Sequence, residues 1–173
     1  MSPAPPLVVF GGLPGTGKTT VARAVAAQLR GTLLRIDEIE AAMWRSGISR
    51  EQPTGLAAYV VAGAVAESCI NAGTPVVVDA VNPVEDARRA WREVAQRTGA
   101  VLRVVEVVCS DHDEHRRRVE QRNADIDGHE VPTWQQVLDR HYDPWSEKRL
   151  VLDTCKSEAE YLDTIWSYLA SGT

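Results

Sequence analysis

Cysteine is scarce. The chain has three, Cys69, Cys109 and Cys155, widely spaced and without a C-x-x-C pair. An odd, scattered set gives no disulfide framework and points to reduced thiols, packed as small hydrophobes in a cytoplasmic protein. No basic segment leading into a long apolar run opens the chain, so no secretory leader is expected. The most apolar stretch, Leu56 to Ile70, is rich in Ala and Gly, contains Glu67 and is too short to span a bilayer. A buried helix is expected there, and no membrane partner. Positive charge is not in excess either: the formal net charge is −5. That argues against a nucleic-acid backbone as the main partner, while leaving room for a local basic groove. Repeats, low-complexity tracts and linkers are missing. With 173 residues, 44% hydrophobic and 25% charged, the chain suits a single globular domain, 1–173, with a sizeable core.

Apolar periodicity alternates between short runs and helical stripes. Leu7 to Phe10 reads as a buried strand between prolines and glycines. Thr19 to Leu29 carries Val21, Val25 and Leu29 at helical spacing. Thr32 to Ile36 is a second strand, followed by a helix from Asp37 to Arg45 that Gly47 ends. Val76 to Val78 do not alternate with polar residues, as in a strand covered on both faces. Asn82 then has the features of an N-cap, with Pro83 in the first turn and Glu85 completing a capping box. That helix keeps Val84, Ala87, Trp91 and Val94 on one side and stops at Gly99. Leu102 to Val108 is a fourth strand; Ser110 and Asp113 form another capping-box pattern, opening a charged helix to Arg122. The segment NADIDGHEVP, 123–132, is a polar loop; Thr133 to His141 is helical, Leu150 to Leu152 a last strand, and Glu158 to Leu169 a final helix. Alternating strands and helices imply an α/β fold: a parallel sheet covered on both faces, with ligands beyond the C-terminal strand ends.

At the first such end, four glycines fall within seven positions: Gly11, Gly12, Gly15 and Gly17. They would ruin a helix or strand interior. The stretch Gly12-Leu-Pro14-Gly15-Thr16-Gly17-Lys18-Thr19 fits G-x-x-x-x-G-K-[ST] without a mismatch. Glycines let successive backbone N–H groups turn inward around phosphate oxygens, and the helix that follows aims its positive end at the same anion. Lys18 can reach β- and γ-phosphates, and the Thr19 hydroxyl, with Thr20 beside it, can hold Mg²⁺. No third glycine follows, so the stretch is not a dinucleotide fingerprint. A P-loop alone leaves open a switch, a motor, a regulator or a kinase, and the short chain has little room for a motor's extra subdomain.

Asp37, with Glu38, follows the second strand and can take a proton from an attacking hydroxyl; Asp is also a favoured helix cap, and one residue can do both. Asp79 ends the third strand, where a carboxylate can hold Mg²⁺ through water or simply form a turn. Asn82 is a cap or a substrate contact. Arg116, Arg117, Arg118 and Arg122 precede the polar loop. Arg118 and Arg122 can close over phosphates as a lid, about 116–132, or lie on a solvated helix face with Asp113, Glu114 and Glu120. Arg88, Arg89, Arg92 and Arg97 have the pattern of an exposed helix face. His112 and His115 suit a capped surface helix better than a metal site. Trp44, Tyr59, Trp134, Tyr142 and Trp145 can line a pocket or pack in the core.

GGLPGTGKTT, RIDEIEAAM, VVVDAVNP, the RRRVEQR helix with its loop, and RLVLDT occur in the order seen in small P-loop kinases, and the chain resembles that family over nearly its whole length. The group includes zeta-toxin-like kinases, polynucleotide kinases, seryl-tRNA kinase and chloramphenicol phosphotransferase. The resemblance implies a P-loop NTPase three-layer sandwich with a five-stranded parallel sheet in the order 2-3-1-4-5. It also implies ATP or GTP with Mg²⁺ and γ-phosphoryl transfer to a hydroxyl. Asp37 then matches the carboxylate that activates the acceptor, Asp79 and Asn82 a D-x-x-N turn on the acceptor side, Arg118 and Arg122 the lid arginines, and Leu152, Asp153 and Thr154 a segment near the base. Ile36 stands where polynucleotide kinases often carry a carboxylate or arginine, which speaks against a polynucleotide acceptor. Between Asp37 and Thr54 there are four acidic and two basic residues, few arginines for a second phosphate. A small, largely uncharged acceptor is therefore expected, a nucleoside, a sugar derivative or an antibiotic, bound with help from Trp44. A polynucleotide or tRNA kinase and a non-catalytic nucleotide-binding regulator are the alternatives.

Overall fold

Parallel pairing begins with Leu7 opposite both Val76 and Leu102, so the first strand lies at the centre of the sheet. The computed structural model describes residues 4–171. Five strands, β1 (Leu7–Gly11), β2 (Thr32–Arg35), β3 (Val76–Asp79), β4 (Leu102–Val108) and β5 (Leu150–Asp153), form one parallel sheet in the order β2-β3-β1-β4-β5. The helices between them are α1 (Lys18–Leu29), α2 (Ile36–Arg45), α3 (Thr54–Asn71), α4 (Glu85–Thr98), α5 (His112–Glu120), α6 (Trp134–Leu138) and α7 (Glu158–Ala170). This is the expected α/β three-layer sandwich and strand order.

Alternation along the strands feeds two cores. Leu7, Val9, Val76 and Val78 face α3 and α4, where Trp91 and the Ala58, Ala62 and Ala66 stripe pack. Val8, Phe10, Val77 and Val105 face α1 and α7, against Val21, Val25 and Ile165. Both faces are therefore dry, which is why the strands lack polar alternation. The functional edge is where the strands end, at Gly11, Arg35, Asp79, Val108 and Asp153.

Several local expectations need correction. Asn82 is no helix cap: α4 starts three residues later, with Val84 at the cap position. Asn82 is instead fully buried with φ 51, a left-handed conformation that Asn tolerates. Its Nδ2 donates to the Phe10 carbonyl at 2.8 Å, and its Oδ1 accepts from Trp91 Nε1 at 2.9 Å. The cap of α5 is Asp111, whose carboxylate accepts from the Glu114 N–H at 3.0 Å, because Ser110 is drawn to Asp153. That helix ends at Glu120, short of Arg122, and α6 ends at Leu138, short of His141. Beyond α6 the chain is committed elsewhere: Asp143 N–H bonds Pro83, and Arg88 donates to the carbonyls of Asp143 and Pro144. Arg88 is thus buried rather than on an exposed face, stacked 3.9 Å over Trp145. The apolar helix, α3, is buried along one edge only; Leu56, Val60, Val61 and Val65 are exposed. At 18 residues α3 is long and apolar enough, by length and composition alone, to cross a membrane.

Candidate functional site

The glycine-rich loop between β1 and α1 is closely fitted. At Gly12, φ is +134 and a Cβ would lie 2.2 Å from the Val107 carbonyl oxygen; at Gly15, φ is +81 and a Cβ would lie 2.4 Å from Val119 Cγ2. No other residue fits either position without moving backbone or core. Thr16 Oγ1 and Lys18 Nζ both donate to the Leu13 carbonyl at 2.9 Å, which curls the loop. Burial lowers the Lys18 pKa, against the opposing pull of the Asp79 and Asp37 carboxylates. A buried ammonium that is short of counter-charge is suited to meet phosphate oxygens.

Two supports of this loop come from distant sequence. His115 on α5, expected on a surface helix, is buried with its Nε2 2.8 Å from the Pro14 carbonyl. A carbonyl only accepts, so Nε2 carries the hydrogen. Thr154, just after β5, donates to the Thr16 carbonyl at 2.6 Å. Arg118 in turn donates to Thr154 at Oγ1 (2.8 Å) and at its carbonyl (3.1 Å), while Glu114 accepts from its Nε at 2.7 Å. Arg118 thus lines the cavity in front of the P-loop and also braces that loop. Its neighbours Arg116 and Arg117 pair with Glu120 and Glu114 on the exposed face.

Two strand ends and the first turn of α1 meet around one carboxylate. Thr19 Oγ1 donates to Asp79 Oδ2 at 2.7 Å, and Arg35 Nε donates to the same oxygen at 3.2 Å. Arg35, with its side chain only 2% exposed, also reaches Glu38 at 2.7 Å and Asp125 at 3.0 Å. Burial opposes the charge on Arg35, but Asp79, Glu38 and Asp125 raise its pKa on balance. Asp125 is held below the usual carboxylate range for the complementary reason: Arg35 and Arg122 outweigh its own partial burial. Thr19 and Asp79 offer two adjacent hard oxygens, the donor type that suits Mg²⁺.

The loop after α5 lies across α2. Arg45 donates to the Asp127 carbonyl at 2.6 Å, and Arg50 to that of Gly128 at 2.5 Å. A cavity of about 440 Å³ opens beneath, lined by Asp37, Glu40, Trp44, Arg122, His129 and Arg140, among others. His129 lies 3.9 Å from the Asp37 carboxylate and stacks on Trp44 at 6.0 Å, while Arg50 sits 4.1 Å over the same indole. A second cavity, about 320 Å³, is lined by Gly15, Gly17, Lys18, Thr19, Thr20 and Arg122. Arg122 lines both. A larger cavity than either, about 630 Å³, lies apart between α3 and α4 and is mainly apolar. Its Arg97 is paired with Glu67 and Glu93, so it offers phosphate nothing.

The predicted residues therefore divide. Gly12, Pro14, Gly15, Thr16, Gly17, Lys18, Thr19, Asp79 and Arg122 converge, and Asp37 and Trp44 face the adjoining cavity. Asn82 stands apart from them, its side chain spent inside the core. Asp153 accepts from the Ser110 and Cys155 N–H groups, each at 3.1 Å. Burial pushes its carboxyl up, but these bonds and the Ser110 hydroxyl win and hold it below the usual range.

A family model described as an AAA domain matches residues 7–143. The chain belongs to the AAA domain family. The matched segment of this AAA domain contains the P-loop, Asp37, Asp79 and the loop over α2, but not β5 or Thr154. No curated protein matches the sequence. Among solved structures, the chain is similar to a proposed kinase of Chloroflexus aurantiacus (TM-score 0.76, 21% identity, 100% of both chains). It is also similar to the APS kinase of Mycobacterium tuberculosis in complex with AMPPNP and APS (TM-score 0.72, 21% identity, 98% of this chain and 100% of that one). A gluconokinase from Sinorhizobium meliloti matches with TM-score 0.68 and 22% identity, over 98% of this chain and 94% of that one. At such identities the likeness shows a shared fold.

Sequence reasoning missed the structural parts of the AAA-domain site. Arg35 ends β2 directly opposite Asp79 in the register of the neighbouring strand, and that pairing was the signal for it. His115 sits one helical turn before Val119, and both face Gly15 of the P-loop.

Proposed function

We propose that this AAA domain is a Mg²⁺-dependent kinase that moves the γ-phosphoryl group of ATP or GTP onto a hydroxyl of a small acceptor. The observation that carries the proposal is Arg122, which lines both the P-loop cavity and the cavity holding Asp37. A phosphoryl group passing between them would travel past its guanidinium, which can offset charge spread over the equatorial oxygens. The acceptor oxygen forms the new O–P bond, the bond from the γ-phosphorus to the β-bridging oxygen breaks, and the acceptor proton goes to Asp37. Lys18 and the P-loop N–H groups hold the β- and γ-phosphates. Thr19 and Asp79 would hold Mg²⁺, which supplies charge neutralisation along the phosphates. Arg118 acts mainly through the Thr154 contact, and the segment 116–132 serves as the lid of the single domain.

The acceptor cavity supports a small, largely uncharged molecule such as a nucleoside, a sugar derivative or an antibiotic. Its size fits a small ligand. Arg122 and Arg140 enter it from beyond the acidic segment, so three arginines (with Arg50) face three carboxylates, Asp37, Glu40 and Glu130, and neither charge dominates. Trp44 offers a flat wall. A polynucleotide acceptor finds less support, because Arg89, Arg92 and Arg97 on α4 are paired with acidic neighbours and Arg88 is buried.

The test follows the label of γ-labelled ATP or GTP, with Mg²⁺, into three pools: uncharged nucleosides, sugars and hydroxylated antibiotics; nucleoside monophosphates; and 5′-hydroxyl oligonucleotides. Label in the first pool is expected. Label only in another pool overturns the acceptor assignment. Tight nucleotide binding without transfer to any pool favours the regulator.

A further inference from the structure

The P-loop edge carries a feature that phosphoryl transfer does not use. Cys109 and Cys155 lie 46 residues apart in sequence, yet their Sγ atoms are 2.9 Å apart. Expected as separate buried hydrophobes, they are instead neighbours near the surface, Cys109 half-buried and Cys155 exposed. The topology explains the meeting. β4 and β5 are adjacent, parallel and in register at Val108 and Asp153, so their following turns emerge side by side. The Thr154 N–H bonds the Val108 carbonyl at 3.0 Å, which fixes the two turns to each other. Ser110 and Cys155 both bond Asp153, which fixes them again.

We propose that Cys109 and Cys155 are an oxidisable dithiol that closes to a disulfide when a peroxide reaches the P-loop edge. The exposed Cys155 reacts first. Its sulfur attacks a peroxide oxygen, the O–O bond breaks, and a sulfenic acid and one water form from hydrogen peroxide. Cys109 sulfur then attacks the Cys155 sulfur; the S–O bond breaks and hydroxide leaves with the Cys109 proton as a second water. Two thiols lose two electrons in total and hydrogen peroxide gains them. The order follows from the surroundings. Burial, and then the hydrogen bond with Cys155, push the Cys109 thiol up to about 12, which keeps it protonated until a sulfenic acid is beside it. Cys69 packs against the α3/α4 core in the last turn of α3, beside the start of β3 and so at the opposite edge of the sheet, and takes no part.

The cross-link would join the turn capping α5 to the turn that carries Thr154. Thr154 is next to Cys155 and bonds both Thr16 of the P-loop and Arg118. The modification therefore sits one residue from a P-loop support. It is independent of the kinase proposal, since it needs only the folded chain.

The test treats the folded protein with a small excess of hydrogen peroxide, blocks remaining thiols with an alkylating agent, and maps peptides by mass. Free thiols are expected to fall from three to one, with one peptide pair linked through Cys109 and Cys155, Cys69 alkylated, and full reversal by dithiothreitol. Cys109→Ser is expected to stop Cys155 at the sulfenic or sulfinic stage. Three alkylated thiols, or a link involving Cys69 or a second chain, would overturn the proposal. So would Cys155 over-oxidation in the unmodified sequence while Cys109 stays free.

Discussion

The two cavities that share Arg122 are built differently. Around the P-loop, Thr16, Lys18, Arg35, Asp79 and Thr154 are all buried; Thr154 bonds Thr16, Arg35 bonds Asp79 and Lys18 bonds the Leu13 carbonyl. Around Asp37 the walls are looser: the Asp37 side chain is 39% exposed, that of Glu130 is 90% exposed, and His129 and Arg50 are attached through a loop. The P-loop end is thus held by the sheet itself, and for an arriving anion the Lys18 ammonium has only to exchange the Leu13 carbonyl within the same loop. The other end depends on a surface loop, where sequence can change without disturbing the core. Such a division lets one fold keep its P-loop while the walls of the neighbouring cavity change.

Substitutions on each side should separate the two. The largest effect is expected from Asp37→Asn. Loss of a proton acceptor lowers kcat by about 10²–10⁴-fold, while nucleotide affinity measured by titration calorimetry stays nearly unchanged. A matching loss of nucleotide affinity would erase the distinction between the cavities. Arg35→Met should act on the fold. It leaves Asp79 buried without its cation, and breaking a buried pair costs about 3–5 kcal/mol, read as a lower urea midpoint. A smaller effect is expected in acid. Hydrogen bonds from Arg117 and then Arg118 hold Glu114 down at about 2, against an ordinary value of 4.5. A depressed carboxylate contributes stability above its unfolded pKa and loses it as pH falls through the folded value. The stability difference between the unmodified protein and Glu114→Gln should therefore be constant above pH 4.5 and vanish towards pH 2. If it persists, Arg118 is held by something other than Glu114.

The same division decides what could be read from sequence. Strands, helices and the P-loop rest on local periodicity and on backbone demands that only glycine meets, and those are written in neighbouring residues. Asp37 and Asp79 were legible because strand ends in a parallel sheet share one edge. The bonds made by Arg35, His115 and Thr154 were not, because each acts on a partner in another segment: Asp79, Pro14 and Thr16. Asn82 misled for the same reason. Asn-Pro before a charged stretch is a cap pattern, but the Phe10 carbonyl on β1 and the Trp91 indole N–H, two turns into α4, take the side chain instead. The cysteine pair became visible only once β4 and β5 were adjacent.

Arg35 joins three carboxylates through one guanidinium: Glu38 beside its own strand, Asp79 at the sheet edge and Asp125 in the loop above. Sharing of this kind has a thermodynamic consequence. Under the proposed mechanism, a cation bound at Asp79 would compete for the carboxylate that Arg35 holds, and so would change how strongly Arg35 holds Asp125. By linkage, the state of the Arg35–Asp125 contact would then change binding at Asp79 by the same factor and in the same direction. The order of arrival would not matter to the final populations, only to the route, with the guanidinium as the common term.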